Sequence, residues 1–180
     1  MARFPFGIPN SWYVVAYSDD LAPGAVQALR YFDRDLVAFR GESGGVAVLD
    51  AHCPHLGAHL AVGGKVVGDT LRCPFHGWRW TKAGECAEIP YAKRIPENAR
   101  AQGYPVVEKN GMILVWLHSD RIEPQFSIPE VEGWGEEGWL QSWLRWEWTI
   151  KTHPQEMAEN GIDWPHFENV HGMPVPEDRT

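Results

Sequence analysis

Cys53-Pro54-His55-Leu56-Gly57 and Cys73-Pro74-Phe75-His76-Gly77-Trp78 are two versions of one phrase, with seventeen residues separating His55 from Cys73. Each half supplies one sulfur and one imidazole at very short spacing. Each also follows a strand candidate, which places its ligands at a loop tip, and a glycine beside each His permits turn dihedrals and close backbone approach. Two such loops facing each other can hold a metal centre with two sulfur and two nitrogen ligands. A single Cys is most often a small buried hydrophobe, and a single His usually only a hydrogen-bonded surface residue. A repeated pair with matching Pro and Gly neighbours argues against that reading for all four. Zinc also accepts two Cys and two His, although Cys-x-His is tighter than the usual C-x(2–4)-C or H-x(3–5)-H spacing.

Working outward, the chain has 180 residues, of which 44% are hydrophobic and 22% charged. That is ordinary globular usage for one domain and part of a second. Twenty-four acidic against 16 basic residues give a net charge of −8, opposite to the balance of a nucleic-acid binder. No apolar run reaches the length of about 18 residues that a membrane span needs. The start, MARFPFGIPNSW, lacks the apolar stretch of a signal peptide, so the expected location is cytoplasmic. The three cysteines (Cys53, Cys73 and Cys86) are an odd number, better suited to metal binding than to a disulfide scaffold.

Short β-branched and aromatic runs at 12–17, 26–33, 35–40, 46–52, 65–72, 77–82, 104–108 and 112–118 predict strands separated by turn chemistry. Asn110-Gly111 between the last two is a strong hairpin signal. The expected fold class is mainly β: an all-β domain over 1–120, a Pro/Gly/Glu-rich connector over 121–138, and the start of an α+β domain over 139–180. Five of the ten Trp residues (134, 139, 143, 146 and 148) fall within fifteen positions. Leu144, Trp146, Trp148 and Ile150 alternate with polar residues, which predicts a strand with one bulky apolar face. Thr152-His153-Pro154-Gln155 reads as a capping box with Thr152 at the N-cap, opening a short helix that stops at Gly161. Asp163 then caps a second helix with Pro165 in its first turn.

Asp163, His166 and His171 are further candidate ligands, in D-x2-H-x4-H spacing. Residues five apart on a helix are separated by about 140° around its axis, so a shared metal requires the helix to end or distort between the two His, which Gly172 permits. An N-cap Asp and two surface His would need no metal. His59 reads as a loop hydrogen-bonding residue, Cys86 as core packing, and His52 as pointing to the opposite strand face.

C-x-H…C-x-x-H in an all-β domain resembles the Rieske [2Fe–2S] family, and N-x2-D-x2-H-x4-H resembles the mononuclear-iron motif of Rieske-type non-haem iron oxygenases. The first resemblance implies that Cys53 and Cys73 bind one, buried iron and His55 and His76 the outer one. Respiratory members carry an extra Cys in each loop where this chain has Ala58 and Phe75, which points to the oxygenase and ferredoxin branch. The second implies that His166 and His171 bind mononuclear Fe(II) and that Asn160 lies near it. Asp163 would hydrogen-bond His166 and reach the cluster ligand matching His76 on a neighbouring subunit of a head-to-tail homotrimer. The family's carboxylate ligand lies far downstream, and Glu177 and Asp178 match no motif. The chain is therefore expected to be the N-terminal part of a longer oxygenase. Its electrons would come from NAD(P)H indirectly, through a reductase or ferredoxin, and its substrates would be dioxygen and a small apolar molecule. IPYAKRIPENARAQGYPVVEKNGMILVW (residues 89–116) is similar to steroid- and sterol-oxidising members, the ketosteroid 9α-hydroxylase oxygenases among them. The alternatives are a Rieske ferredoxin-type electron carrier without its own catalysis and a structural zinc protein.

Overall fold

The computed structural model describes residues 7–138 and 142–174. In chain order its strands are β1 (Ser11–Tyr17), β2 (Val26–Tyr31), β3 (Arg34–Arg40), β4 (Val46–Asp50), β5 (Lys65–Val67), β6 (Thr70–Arg72), β7 (Arg79–Trp80), β8 (Cys86–Glu88), β9 (Gly103–Tyr104), β10 (Val106–Lys109) and β11 (Met112–Leu117). They form three antiparallel sheets, ordered β1-β11-β10, β2-β3-β4-β9 and β5-β6-β7-β8. The chain is mainly β, as its alternating runs predict. It divides into two compact units, Ile8–Trp143 and a second that contains the chain from Leu144 onward.

The β2-β3-β4-β9 sheet is buried on both faces, because its central strands are apolar at successive positions rather than at alternate ones. Along β3, Val37 and Phe39 point into a core shared with Leu49, Leu71, Trp80, Cys53 and Cys73. Their neighbours Leu36 and Ala38 point into a second core with Val48, Ile113 and Val115. Burying each of the larger of these side chains contributes about 1.5–3 kcal/mol. The first core underlies the Cys/His loops, so those loops grow from a packed base.

One charge crosses this interior. Arg40 is 8% exposed, and its guanidinium donates to both carboxylate oxygens of Glu108 at 2.8 and 2.7 Å. It also donates to the carbonyls of Leu21, Gly44 and Ser18. The Arg40 hydrogen bonds hold the Glu108 carboxyl below its ordinary pKa, and the pair ties β3 to β10 across two sheets.

Turn chemistry shortens several predicted strands. The run 26–33 ends at Tyr31 because Phe32 and Asp33 both take positive φ (57° and 55°) in a two-residue hairpin loop. The run 65–72 splits into β5 and β6 around Gly68-Asp69, where Val67 pairs with Thr70. Only Arg79–Trp80 of 77–82 is strand, and β8 was not anticipated. Pro105 breaks 104–108 into two strands that serve different sheets, since proline has no N–H to give a ladder. Asn110-Gly111 forms the expected hairpin turn, with φ of 52° and 71°.

In the second unit, helix α1 spans Pro154–Gly161 and α2 spans Trp164–His171. The cap of α1 is His153 and not Thr152: its ring accepts from the Gln155 N–H at 3.1 Å. Asp163 stands at the N-cap of α2 but its side chain makes no capping hydrogen bond. The predicted strand over 144–151 is not formed, because no segment among the described residues pairs with it. Leu144, Trp146, Trp148 and Ile150 are all exposed there. Trp139 lies outside the described residues, as do Glu177 and Asp178. Among the described residues no helix is long and apolar enough to cross a membrane.

Candidate metal centres

The two Cys/His loops fold alike because their backbones close the same ring. In the first, the Cys53 N–H donates to the Ala58 carbonyl at 2.9 Å and the Gly57 N–H to the Cys53 carbonyl at 2.8 Å. In the second, the Cys73 N–H donates to the Trp78 carbonyl at 2.8 Å and the Gly77 N–H to the Cys73 carbonyl at 3.2 Å. Gly57 and Gly77 occupy the equivalent position with φ of 75° and 74°, a conformation that L side chains resist. Within this shared frame His55 sits two residues after its cysteine and His76 three after its own, and the loops bring the two rings together.

The imidazole centroids of His55 and His76 are 4.7 Å apart, with planes at 76°. Cys53 and Cys73 lie deeper, each 2% exposed, and share one buried core. The two sulfurs are therefore inside and the two imidazoles nearer the surface. Among the described residues no three His, Cys, Asp or Glu side chains converge on one point. The candidate donors stand as a buried sulfur pair and an adjacent imidazole pair, the division of ligands that a two-iron Rieske cluster uses.

The residues present fit such a cluster. His55 Nδ1 is buried without a hydrogen-bond partner, a vacancy in its bonding that a metal ligand would fill. Burial pushes the Cys53 thiol up to about 11, the adjacent Cys73 adds to the rise, and the His55 backbone N–H and Trp80 oppose it. A buried thiol pair of this kind ionises when a cation is supplied. Cys53, Cys73 and Cys86 are all free, so the respiratory-type disulfide has no counterpart here.

Neighbouring aromatics frame the imidazoles, and sequence reasoning missed them. Trp78 stacks on His55 with centroids 4.5 Å apart and planes at 10°, and its Nε1–H donates to the Tyr91 hydroxyl at 2.7 Å. The signal was the aromatic pair in HGWRW. The other residues behave as expected. The His59 ring accepts from the Ala61 N–H, and Cys86 packs against the first core.

The second candidate site lies on α2. The helix runs unbroken through His166 to His171, and the rings nonetheless come to 4.8 Å. No break separates them: the helix ends at His171, with Gly172 left-handed behind it at φ 62°. Phe167 stacks on His166 at 5.8 Å. Asp163 meets His166 through the main chain, the His166 N–H donating to the Asp163 carbonyl at 3.0 Å. Asn160 is exposed at the end of α1. Two imidazoles without a third convergent donor do not complete a mononuclear iron site among the described residues.

Comparison with known proteins agrees with this geometry. Residues 11–105 match the Rieske [2Fe-2S] domain, and residues 115–178 match the 3-ketosteroid 9alpha-hydroxylase C-terminal domain. Cholesterol 7-desaturase of Xenopus laevis is 44% identical over 164 residues, which is 91% of this chain and 36% of that protein. The oxygenase component of 3-ketosteroid-9-alpha-monooxygenase of Rhodococcus rhodochrous is 37% identical over 179 residues, 96% of this chain and 46% of its own length. The crystal structure of dicamba monooxygenase bound to dicamba has a TM-score of 0.58 at 30% identity, covering 67% of this chain and 36% of that one. The chain thus spans less than half the length of these relatives. With the paired loops and the domain match in agreement, the chain belongs to the Rieske [2Fe–2S] family.

Proposed function

We propose that Cys53 and Cys73 hold one iron of a [2Fe–2S] cluster and His55 and His76 the other, in the terminal oxygenase component of a multicomponent system. The observation that supports this most is the matched loop pair, which sets two buried sulfurs beneath two adjacent imidazoles. When bound, the cluster supplies one-electron transfer and a mononuclear iron supplies dioxygen activation. The chain's own part is positional. The buried cysteines keep water from the sulfur end, while the outward imidazoles bring the electron-carrying edge to the surface.

In this reading residues 1–120 are the cluster domain, 121–138 the connector and 139–180 the beginning of the catalytic domain. His166 and His171 are two of the mononuclear-iron ligands, with Asn160 near them. Asp163 bridges His166 to a neighbouring subunit's cluster ligand within a homotrimer, since second-shell carboxylates orient ligating imidazoles. The absence of a capping bond leaves the Asp163 carboxylate available for that role. The substrate is an apolar, sterol-like molecule, in keeping with relatives named for cholesterol and ketosteroids. The electron donor is a reductase or ferredoxin, since one relative is named as the oxygenase component of its system. The protein works in the cytoplasm.

The test is Fe(II) addition to the cluster-loaded chain, read by the nitrosyl adduct signal of mononuclear iron. We expect a signal that disappears in His166→Ala and His171→Ala while the cluster spectrum is retained. A cluster spectrum with no such signal favours the second reading, a Rieske-type electron carrier. The observation on its side is that no third donor joins His166 and His171 among the described residues.

A further inference from the structure

A cleft of about 410 Å³ opens on the first unit, beside the start of β3, β9 and the chain that leaves β11. That volume is within the range of small-molecule sites. Phe32, Tyr104 and Trp116 supply aromatic walls, and Arg34 and Arg121 bring two guanidinium groups against the single carboxylate of Glu123. In a chain of net charge −8 this is a local inversion of sign. Neither arginine forms an ion pair among the described residues. The walls are held from behind. Trp116 is 3% exposed, and its Nε1–H donates to the Ile122 carbonyl at 2.7 Å. The Tyr104 hydroxyl donates to Asp50 Oδ1 at 2.7 Å and accepts from Arg34 Nη1 at 3.3 Å. Burial and the bond to Asp50 push that hydroxyl up to about 12, so it adds no negative charge beside Arg34. Phe32 stands at φ 57°, where a side chain costs about 1–2 kcal/mol, and its ring packs edge-on against Tyr13. The hairpin thus keeps an aromatic wall where glycine would relax the backbone.

We propose that this cleft is a binding site for a small planar carboxylate, whose charge Arg34 and Arg121 answer and whose flat apolar body lies against the aromatic walls. A guanidinium presents paired N–H donors in the geometry of a carboxylate, and only one N–H of Arg34 is taken by Tyr104. Aromatic side chains favour a flat apolar partner. Glu123 on the lining and Asp50 behind Tyr104 select a singly charged anion over a multiply charged phosphate. None of Cys53, His55, Cys73 and His76 lines the cleft, so the inference stands apart from the cluster reading.

The experiment is a calorimetric titration of the full chain, purified without oxygen, with 2-naphthoate and with the uncharged 2-naphthamide. We expect one saturable site for the acid, and binding of the amide weaker by about fivefold or more. Arg34→Gln and Arg121→Gln should each weaken the acid by about three- to tenfold and leave the amide unchanged. Both arginines are exposed, so the variants should unfold as the parent does. Should either misfold, the comparison of acid and amide on the parent decides alone. Absence of a saturable site, equal affinity for acid and amide, or acid binding that both variants retain in full overturns the inference.

Discussion

The Trp78 indole lies almost parallel to the His55 imidazole, 4.5 Å away and 10° from coplanar, and is held there through the Tyr91 hydroxyl. It closes one face of the imidazole that His76 meets edge-on. An aromatic pair of this kind is worth about 0.5–1.5 kcal/mol beyond its buried area. Trp78→Ala should therefore speed loss of cluster iron to a chelator by about two- to tenfold. Bleaching of the visible absorbance follows that loss directly, and an unaltered rate would show that the stack does not protect His55.

The Arg40–Glu108 pair makes stability depend on pH with a defined sign. Arg40 lowers the folded-state pKa of Glu108 from the ordinary 4.5. The pair's contribution is thus fully present above that ordinary value and is lost as pH falls through the depressed one. Glu108→Gln should destabilise the first unit by about 1–3 kcal/mol at neutral pH, less than for a fully buried pair because Glu108 is partly exposed. The difference between the two proteins should close in acid. Denaturant unfolding at pH 7 and below pH 4 checks both statements, and an equal difference at both pH values contradicts them.

Asn110 is predicted to anchor the segment that follows the last strand. It is 5% exposed, its Nδ2–H donates to the Pro129 carbonyl at 2.9 Å, and its Oδ1 accepts from the Val131 N–H at 2.9 Å. Its own carbonyl accepts from the Trp143 indole at 2.6 Å. Asn110→Ala removes both side-chain bonds and puts alanine at a φ of 52°. The expected loss is about 2–4 kcal/mol, together with faster proteolysis between residues 129 and 143. Unchanged thermal unfolding and an unchanged digestion pattern would remove the anchor from the account.

Legibility in the sequence followed how local each signal was. Cys53, His55, Cys73 and His76 were readable because their spacing and their glycines are local facts, and the loops that carry them close through bonds spanning five residues or fewer. The strands were readable as apolar runs, but their ends were not. Positive φ at Phe32 and Asp33 has no glycine to announce it, and Pro105 changes sheets through pairings that lie far apart in sequence. The alternation over 144–151 was real as a pattern. A strand also needs a partner, and no described residue supplies one.

The measurement that tests the central claim most directly is iron and acid-labile sulfide per chain, on protein purified without oxygen. Held by Cys53, His55, Cys73 and His76, the cluster should give about two irons and two sulfides, falling together in Cys53→Ser and in His76→Ala. Metal without sulfide, or sulfide that survives both substitutions, would contradict the assignment of these four residues.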